Sequence, residues 1–506
     1  MKKLTVIILI LALGFGALAG CGDTAIGPDP TQSAQDTQSS GGLVIGPAPA
    51  SEKGESVKGA EITLRGDTAD FNGGGVSVSG STVTISSPGS YSVSGTLDNG
   101  CIVVNTGEVK GDVTLTLRGA SVTCLDGPAI HVIRAKNFDL VLENGTENRL
   151  VSGSADAPVT VKQDGAALFS EDDLDILGSG SLEVCGYLNN GITCKDDLDI
   201  KDGTITVTAV NNGVKGSESV EIYGGSVTIR AGNDGLKATS AKKEGKGFVS
   251  IEGGLLDITA DGDGISAETA LTIAGGEIRV ETTGEKDEGS CKAIKAKTAL
   301  TVSGGTLELD SEDHALHCTG DMLFSGGTLT VVSRAGKGVA GHGSVEICGS
   351  ELDIVSADDG IAAEKAIVIS DGVIRLLAGA DGLKAGSRNS AGEGTLLISG
   401  GSMTVSAYSD PFEAKGGAVI TGGVFNGVGS PKTPKGFSSE SSQRSLLFRF
   451  NGGEGTAAEV WTASGELLGA IEARCGYTCA IFSRPELVPG SYTLKLGTLI
   501  ASASTN

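Results

Sequence analysis

Residues 233–238 read Asn-Asp-Gly-Leu-Lys-Ala, and their central step, an Asx-Gly pair followed by an aliphatic residue, recurs along the chain. Successive copies are mostly 22 or 23 residues apart, and otherwise 29. Self-similarity at a fixed period of this size is typical of a solenoid, in which each coil packs on the next. Besides Asp234, clear copies begin at Asn190, Asn212, Asp263, Asp359 and Asp381, and degenerate copies at Lys292, His314, Lys337 and Asp410.

A second row of turns recurs with the same period as the first. It consists of Gly-Gly or Asp-Gly pairs, from 202–203 to 422–423, with Gly349-Ser350 in one coil. In both rows we expect glycine to supply the positive φ that sharp corners need. Between the rows apolar and polar residues alternate, as in 226–229 (Ser-Val-Thr-Ile), which indicates short half-buried strands. We therefore predict an all-β protein built as a parallel β-helix solenoid. A β-sandwich with irregular strands, the alternative, would not keep two turn rows in step.

The N-terminus resembles a bacterial lipoprotein signal. Lys2 and Lys3 precede an apolar run over 4–15, and 18–21 read Leu-Ala-Gly-Cys. We expect residues 1–20 to be a lipoprotein signal peptide and Cys21 to be lipidated. The protein would then be extracytoplasmic, held on the outer face of the bacterial cell membrane by its lipid anchor only. An ordinary secretory signal with an incidental cysteine is the alternative.

Changes in composition set the remaining domain boundaries. Residues 21–57, rich in Gly, Pro, Ser, Thr and Asp, are expected to form a flexible tether. The solenoid is predicted over 58–428, and the Pro- and Ser-containing stretch 429–444 is predicted to be a linker. Residues 445–506 lack the period and are expected to form a small C-terminal β cap or module.

The chain is acidic, with 62 Asp and Glu against 38 Lys and Arg and a formal net charge of −24. Nucleic acid is not expected as a partner, because its phosphates need a concentrated basic face. Aromatic residues make up 4% of the sequence, with one Trp, so a stacking platform for neutral sugars is not obvious.

Stacking of the coils converts the spacing of the repeat into columns of equivalent residues. The Asx positions form one column, in which neighbouring carboxylates repel each other unless a cation lies between them. Oxygen ligands that converge from adjacent turns suit Ca²⁺, so we predict a calcium cofactor. The alternative is that Asx-Gly only supplies the turn at a solvated corner. The predicted metal ligands are Asp234 with Asp263 at one site, and Asp358, Asp359 and Asp381 at a second.

The residues that follow the aliphatic position form a second column, predicted to run Thr193, Lys215, Lys237, Ser266, Lys295, His317, Ala340, Ala362, Lys384 and Glu413. Lys215, Lys237 and Lys384 of this column are the candidate ligand-binding residues. The copies with Lys237 and Lys384 are each followed by a polar insertion, 239–247 and 386–394, and loops that protrude from a rod often carry binding. A lysine beside a calcium site could hold, or deprotonate, a uronic acid. Solvated corner lysines are the alternative.

Histidines and cysteines give weaker signals. His314 and His317 lie in one degenerate coil and could face the same surface, but a zinc site there lacks a clear third ligand. Nine cysteines remain besides Cys21, none in a Cys-x-x-Cys pattern. We expect most of them to be buried in the coils, and a disulfide between Cys475 and Cys479 stays open.

Four stretches together carry a family resemblance: 89–97, 127–130 (Gly-Pro-Ala-Ile), 142–148 (Leu-Glu-Asn-Gly-Thr-Glu-Asn) and 190–198, followed by the repeated Asp-Gly-Ile and Gly-Gly-Thr steps. They resemble the carbohydrate-binding domain-containing proteins of bacterial surfaces, which are polysaccharide-lyase-like parallel β-helices. The resemblance covers roughly residues 58–428. It implies a right-handed parallel β-helix that binds calcium and polysaccharide, including acidic pectic chains. The chain departs from the pattern at 292–340, where Lys, His and Cys replace Asx-Gly, so calcium is in doubt there.

Two functions are consistent with these observations. The first is a non-catalytic cell-surface lipoprotein that binds polysaccharide, either an acidic pectic or uronic-acid chain or a cell-wall glycan, through calcium and lysines. The second is a calcium-dependent polysaccharide lyase that uses Lys237 or Lys384 as its base. A surface adhesin or spacer for protein partners is a further alternative.

Overall fold

A computed structural model describes residues 59–109, 111–157, 165–285, 289–387 and 393–505 of the chain. The predicted signal peptide, the lipidated Cys21 and the predicted tether lie outside the described residues. Within the described ranges the regular structure consists of strands, which confirms the all-β prediction. The same part of the chain contains no helix long and apolar enough to cross a membrane.

The strands form a parallel β-helix. Most coils contribute two strands, or one long bent strand, to the sheet that we call the long sheet. A third strand of only three residues in most coils joins the opposite sheet, which we call the short sheet. Pairing between successive coils is parallel and in register, as between Val214–Gly216 and Leu236–Ala238. The predicted right-handed sense agrees with the strong preference of parallel crossover connections for that hand.

Within the described residues the short sheet has 15 strands, and at about 4.8 Å a strand it is roughly 65 Å long. Its strands are Val76–Ser79, Thr82–Ile85, Cys101–Asn105, Ile130–Arg134, Leu168–Ser170, Ile192–Cys194, Val214–Gly216, Leu236–Ala238, Ile265–Ala267, Ile294–Ala296, Leu316–Cys318, Val339–Gly341, Ile361–Ala363, Leu383–Ala385 and Phe412–Ala414.

The long sheet has 26 strands in the same ranges of the chain. They are Ala60–Gly66, Ala69–Gly73, Gly89–Leu97, Val113–Cys124, Phe138–Leu142, Glu147–Ser152, Leu174–Leu177, Ser181–Gly186, Asp197–Ile200, Thr204–Ala209, Ser219–Ile222, Ser226–Ala231, Phe248–Ile251, Leu255–Ala260, Ala270–Ile273, Glu277–Thr282, Ala299–Ser311, Asp321–Ser333, Val345–Ser356, Ala366–Ala378, Thr395–Ile398, Ser402–Ala407, Gly417–Ile420, Val424–Gly429, Ser445–Gly452 and Tyr477–Ser483. A separate sheet contains Ala457–Thr462, Leu467–Glu472, Ser491–Leu496 and Leu499–Ser504.

The core is a stack of aliphatic side chains inside the coils. In the strand Thr204–Ala209 burial alternates, with Ile205 and Val207 inside and the threonines between them directed outward. Val227 and Ile229 of the next coil stand in register with these two residues. Because each coil buries its apolar face against the neighbouring coils, the core continues along the rod.

The two turn rows use glycine for different reasons. In the Gly-Gly row the second glycine has positive φ, 81° at Gly225 and 91° at Gly254, as expected. The glycines of the Asx-Gly row do not adopt that conformation in the described coils, so the expectation was wrong for this row. A Cβ on Gly235 would lie 2.4 Å from Ile258 Cγ2 and 2.6 Å from the Gly264 carbonyl oxygen. Glycine is therefore required there by close packing between coils.

Both ends of the described rod are covered. At the start, Ala60–Gly66 pairs antiparallel with Ala69–Gly73. At the other end, Phe437 from the predicted linker packs on Phe412 and Phe425, with ring centroids 4.5 and 5.4 Å away. The strand Tyr477–Ser483 then pairs antiparallel with Val424–Gly429. The segment after the solenoid thus continues the long sheet and acts as its cap.

Candidate functional site

The predicted lysine column is present on the outer face of the short sheet, and we call it the outer column. Lys215 pairs in register with Lys237, and Lys237 with Ser266, each at the centre of a three-residue strand. The two residues that flank Lys237 in its strand, Leu236 and Ala238, are buried in the core. The central side chain of each such strand therefore projects outward. The column runs Thr193, Lys215, Lys237, Ser266, Lys295, His317, Ala340, Ala362, Lys384 and Glu413.

The Asx positions form a hydrogen-bonded ladder, which we call the Asx ladder. Asp234 Oδ1 accepts the backbone N–H of Asp263 in the next coil at 2.8 Å. Asp381 Oδ1 accepts the N–H of Asp410 in the same way at 3.1 Å. The neutral Asn190 also accepts, through its Oδ1, the N–H of Asn212 at 3.1 Å. The hydrogen bonds of the ladder therefore form with asparagine as well as with aspartate. The Asx side chains thus tie successive coils together, a contact that the sequence analysis did not foresee.

The second carboxylate oxygen of each predicted metal ligand accepts a hydrogen bond from a lysine ammonium group. Asp234 Oδ2 lies 2.5 Å from Lys237 Nζ, and Asp263 Oδ2 lies 2.8 Å from Lys295 Nζ. These aspartates are almost fully buried, so pairing with a cation offsets the cost of desolvating their charge.

The second predicted metal group shows the same arrangement. Asp359, which is 0% exposed, accepts hydrogen bonds from Lys337 and Lys384, and Lys384 Nζ also lies 2.8 Å from Asp381 Oδ2. Lys337 Nζ contacts Asp358 Oδ2 at 2.9 Å. Burial alone would raise the pKa of Asp358, but Lys337 lowers it below its usual value.

These donor sets do not fit calcium. Ca²⁺ takes six to eight oxygen ligands, whereas the aspartate oxygens already accept backbone N–H groups and ammonium groups. In the described ranges of the chain, no three His, Cys, Asp or Glu side chains converge in a way that could hold a metal ion. Calcium binding remains an untested prediction, and the arrangement of these side chains does not favour it.

Lys215 differs from the other lysines of the outer column. It stands next to the neutral Asn212 of the ladder, and among the described residues its ammonium has no carboxylate partner. The charged neighbours that affect it are Lys237 and Lys195. Burial and these two cations lower the pKa of Lys215. Half-buried positive charge without a partner is a feature of sites that bind anions.

Lys195 extends this positive region by one coil. Its Nζ lies 5.5 Å from the ring centroid of Phe169, which is buried. We call Lys195, Lys215, Lys237 and Lys295 the basic patch. Lys195, two positions beyond the column, was not predicted as a binding residue. Lys295 was placed in the column but was not chosen as a candidate ligand-binding residue, because its coil lacks Asx-Gly.

A pocket of about 440 Å³ lies at one end of the basic patch. Its lining includes polar and cationic side chains from four successive coils and one carboxylate. These side chains are Lys237, Ser266, Glu268, Lys295, Lys297 and His317. Another cleft, of about 460 Å³ beside the C-terminal segment, is lined by Glu454, Glu472 and Arg474, so its charge suits an acidic ligand less well.

The structure does not bring Lys384 together with Lys215 and Lys237. Lys384 lies six strands beyond Lys237 along the short sheet, which corresponds to roughly 30 Å. Burial disfavours its charge, but Asp381 and Asp359 outweigh that effect and raise its pKa above the usual value. Lys384 is therefore poorly suited to accept a proton.

The insertion 239–247 is held against the rod, whereas we had expected it to protrude. Lys246 Nζ lies 2.5 Å from Asp197 Oδ2 and 3.1 Å from Glu218 Oε2, and Lys243 also pairs with Glu218. On its other side, Thr269 Oγ1 donates to the Lys246 carbonyl oxygen at 2.8 Å. Of the second insertion, residues 388–392 lie outside the described residues.

Three of the four histidines, His314, His317 and His342, cluster beside the pocket. The rings of His314 and His317 are stacked with centroids 5.8 Å apart, and His342 meets His317 edge-on at 5.4 Å. Burial, then the charges of Lys292 and the other histidines, lower the pKa of His317 to about 4. His317 Nδ1 is buried and finds no hydrogen-bond partner among the described residues. His342 comes from the following coil, so the sequence spacing did not reveal it.

Acidic residues concentrate on the long sheet. Asp139, Asp175, Asp199 and Glu221 stand in register on four adjacent strands. Burial and the neighbouring carboxylates raise the pKa of Asp199 to about 6. Lys201 pairs with Asp175 and lies 3.7 Å from Asp199, so it compensates one charge of the row. The remaining negative charge would repel an acidic ligand from this part of the long sheet, whereas the basic patch on the short sheet would attract it.

The fold and this face define the class of the protein, a parallel β-helix with an outward row of cations. The sequence profile of the carbohydrate-binding domain-containing protein family matches residues 79–333 and 319–446. The chain belongs to the family of carbohydrate-binding domain-containing proteins.

Two individual relatives can be compared with this chain. A carbohydrate-binding domain-containing protein of Acetivibrio thermocellus is 35% identical over 154 residues, which cover 30% of this chain and 53% of that protein. The chain thus spans about half the length of that curated relative. A solved structure, the gadolinium derivative of a polysaccharide lyase-like protein from C. thermocellum, is similar with 34% identity and a TM-score of 0.42. The similarity covers 46% of this chain and 94% of that one.

Proposed function

We propose that this protein binds an acidic polysaccharide, of the uronic-acid class, along the basic patch of the short sheet. The observation that carries the proposal is Lys215, a half-buried cation whose charged neighbours are two further lysines. A ligand carboxylate would supply the counterion that Lys215 lacks, in a charge-assisted hydrogen bond. The family to which the chain belongs supports carbohydrate as the partner.

The regularity of the face suits an extended polymer. Outer-column side chains repeat about every 4.8 Å along the rod. Lys215 and Lys237 on adjacent coils, and Lys295 two coils beyond Lys237, can therefore meet acidic groups of a chain lying parallel to the axis. Attachment to the outer face of the membrane through Cys21 is part of the same proposal, since an anchored rod would hold the polymer at the cell surface.

Binding to pectin with and without its charge tests this proposal. Polygalacturonate and its methyl-esterified form share one backbone but differ in carboxylate charge. We expect the protein to bind immobilised polygalacturonate, with affinity that falls as salt increases, and to bind the esterified polymer much more weakly. Equal binding to both, or to neutral glycans alone, would contradict the proposal. Binding to none of them would favour the adhesin or spacer alternative.

A lyase remains the second candidate, and the lowered pKa of Lys215 is the observation that favours it. A general base must be able to lose its proton near the working pH, which burial beside two cations promotes. Of the two bases named from the sequence, Lys384 has a raised pKa, and Lys237 is paired with Asp234 at 2.5 Å. Lys215 would then be the base. Lyase activity would form an unsaturated product, which is detected as an increase in near-ultraviolet absorbance. Constant absorbance with several pectic substrates would count against lyase activity.

A further inference from the structure

We propose that the Asx-Gly coils hold no resident calcium, because lysine ammonium groups of the same chain serve as the counterions of the buried aspartates. At Asp359, Oδ1 accepts the N–H of Asp381 and the ammonium of Lys384, both at 3.2 Å, and Oδ2 accepts Lys337. A calcium ion at this position would have to displace two ammonium groups from a carboxylate that is fully buried. The lysines thus occupy the space and supply the charge that a metal ion would bring.

The pairing of lysines with aspartates along the Asx ladder supports the counterion role of the lysines. In the four Asx-Gly copies whose ladder residue is Asp, a lysine contacts it, as in Asp234 with Lys237 and Asp381 with Lys384. Where the ladder residue is the neutral Asn190, the outer column carries Thr193, which accepts a hydrogen bond from the Asn190 amide at 3.0 Å. Lys215, beside the neutral Asn212, shows that a lysine also occurs where the ladder has no carboxylate. Each of the four aspartates nevertheless has a lysine contact, which is the relation expected of a counterion.

The lysines also connect coils, as a bridging metal would. Lys295 reaches back to Asp263 in the preceding coil at 2.8 Å, and Lys384 reaches from Asp381 to Asp359. In the stretch 292–340 the lysine stands in the ladder itself, where Lys292 pairs with Asp313 at 2.7 Å. Lys337 in the same way pairs with Asp359 of the following coil. These coils therefore depart from the Asx-Gly pattern, but in them a lysine still pairs with an aspartate of the adjacent coil.

Thermal unfolding of the wild-type protein is the first test, and it requires no glycan. After dialysis against EDTA, we expect the same Tm in EDTA, in millimolar Ca²⁺ and in Mg²⁺ as a control for ionic strength. We also expect no stoichiometric calcium in the protein after gel filtration, measured by elemental analysis. A Tm several degrees higher in Ca²⁺ than in Mg²⁺, or one or more retained calcium ions per chain, would overturn the proposal.

Variants of one pair test the role of the lysine directly. Lys384→Met is expected to lower the Tm by several degrees, because Asp381 loses its cation. Asp381→Asn with Lys384→Met is expected to recover most of that loss, since Asn keeps the Oδ1 acceptor, as Asn190 does. Lys136→Met, which removes a lysine 61% exposed and 3.5 Å from Asp112, is the matched control and should leave the Tm unchanged.

Two outcomes of the variant series would contradict the counterion role: an unchanged Tm in Lys384→Met, or no recovery in the double variant. If Lys384→Met fails to fold, Lys237→Met with and without Asp234→Asn provides the same comparison at the other group. Because neither series involves a polysaccharide, failure here is distinct from failure of the proposed function.

Discussion

At the scale of single residues, the lysines of the outer column differ in their partners: Lys237 pairs with the buried Asp234, whereas Lys215 stands beside the neutral Asn212. The outer column was predicted in the order in which the structure places it, because parallel stacking converts a fixed period into register. The roles of its members depend on contacts between coils. Nothing in the spacing shows that Lys237 pairs with Asp234 while Lys215 is left beside a neutral asparagine.

The glycine of the Asx-Gly step gives a residue-scale prediction. Gly235→Ala is expected to destabilise the fold by about 1–3 kcal/mol, because the new methyl group would overlap Ile258 and the Gly264 carbonyl. Chemical denaturation monitored by circular dichroism measures the difference. Gly74→Ala is the control, since a Cβ there meets no atom within 4 Å. Equal stability of the two variants would show that the coils can separate enough to admit a methyl group.

At the scale of structural elements, the strands and turns follow from the sequence and the loop does not. Alternation and the two glycine rows predicted short parallel strands, and the structure has them. The insertion 239–247 was expected to protrude because it is polar. Its lysines instead meet carboxylates of the preceding coils, about 25 to 50 residues earlier in the chain, which local composition cannot reveal.

The attachment of this loop can be tested through Glu218, which is 7% exposed and pairs with Lys243 and Lys246. Glu218→Gln should weaken both ion pairs and release the loop. We expect faster tryptic cleavage after the loop lysines, measured by mass spectrometry under native conditions, with little change in Tm. Glu108→Gln, in a loop elsewhere, is the control. Cleavage as slow as in the wild type would mean that backbone hydrogen bonds alone hold the loop.

At the scale of the described rod, charge is sorted by face. The chain is acidic overall, and a row of four carboxylates lies on the long sheet, whereas the short sheet carries the basic patch. The composition alone pointed away from polyanionic partners such as nucleic acid. Under the proposed function, an acidic polysaccharide would bind along the basic patch, and the acidic surroundings would restrict it to that strip.

The most direct measurement of the central claim is the affinity for polygalacturonate of the wild-type protein, Lys215→Met and Lys215→Arg, by calorimetry in the presence of EDTA. We expect binding without calcium and a loss of about tenfold in affinity in Lys215→Met, because a charge-assisted hydrogen bond is removed. Lys215→Arg, which keeps the charge, should retain most of the affinity. The Tm of Lys215→Met should not fall, since its ammonium pairs with no carboxylate among the described residues. Unchanged affinity in Lys215→Met, or binding that disappears in EDTA, would contradict the account.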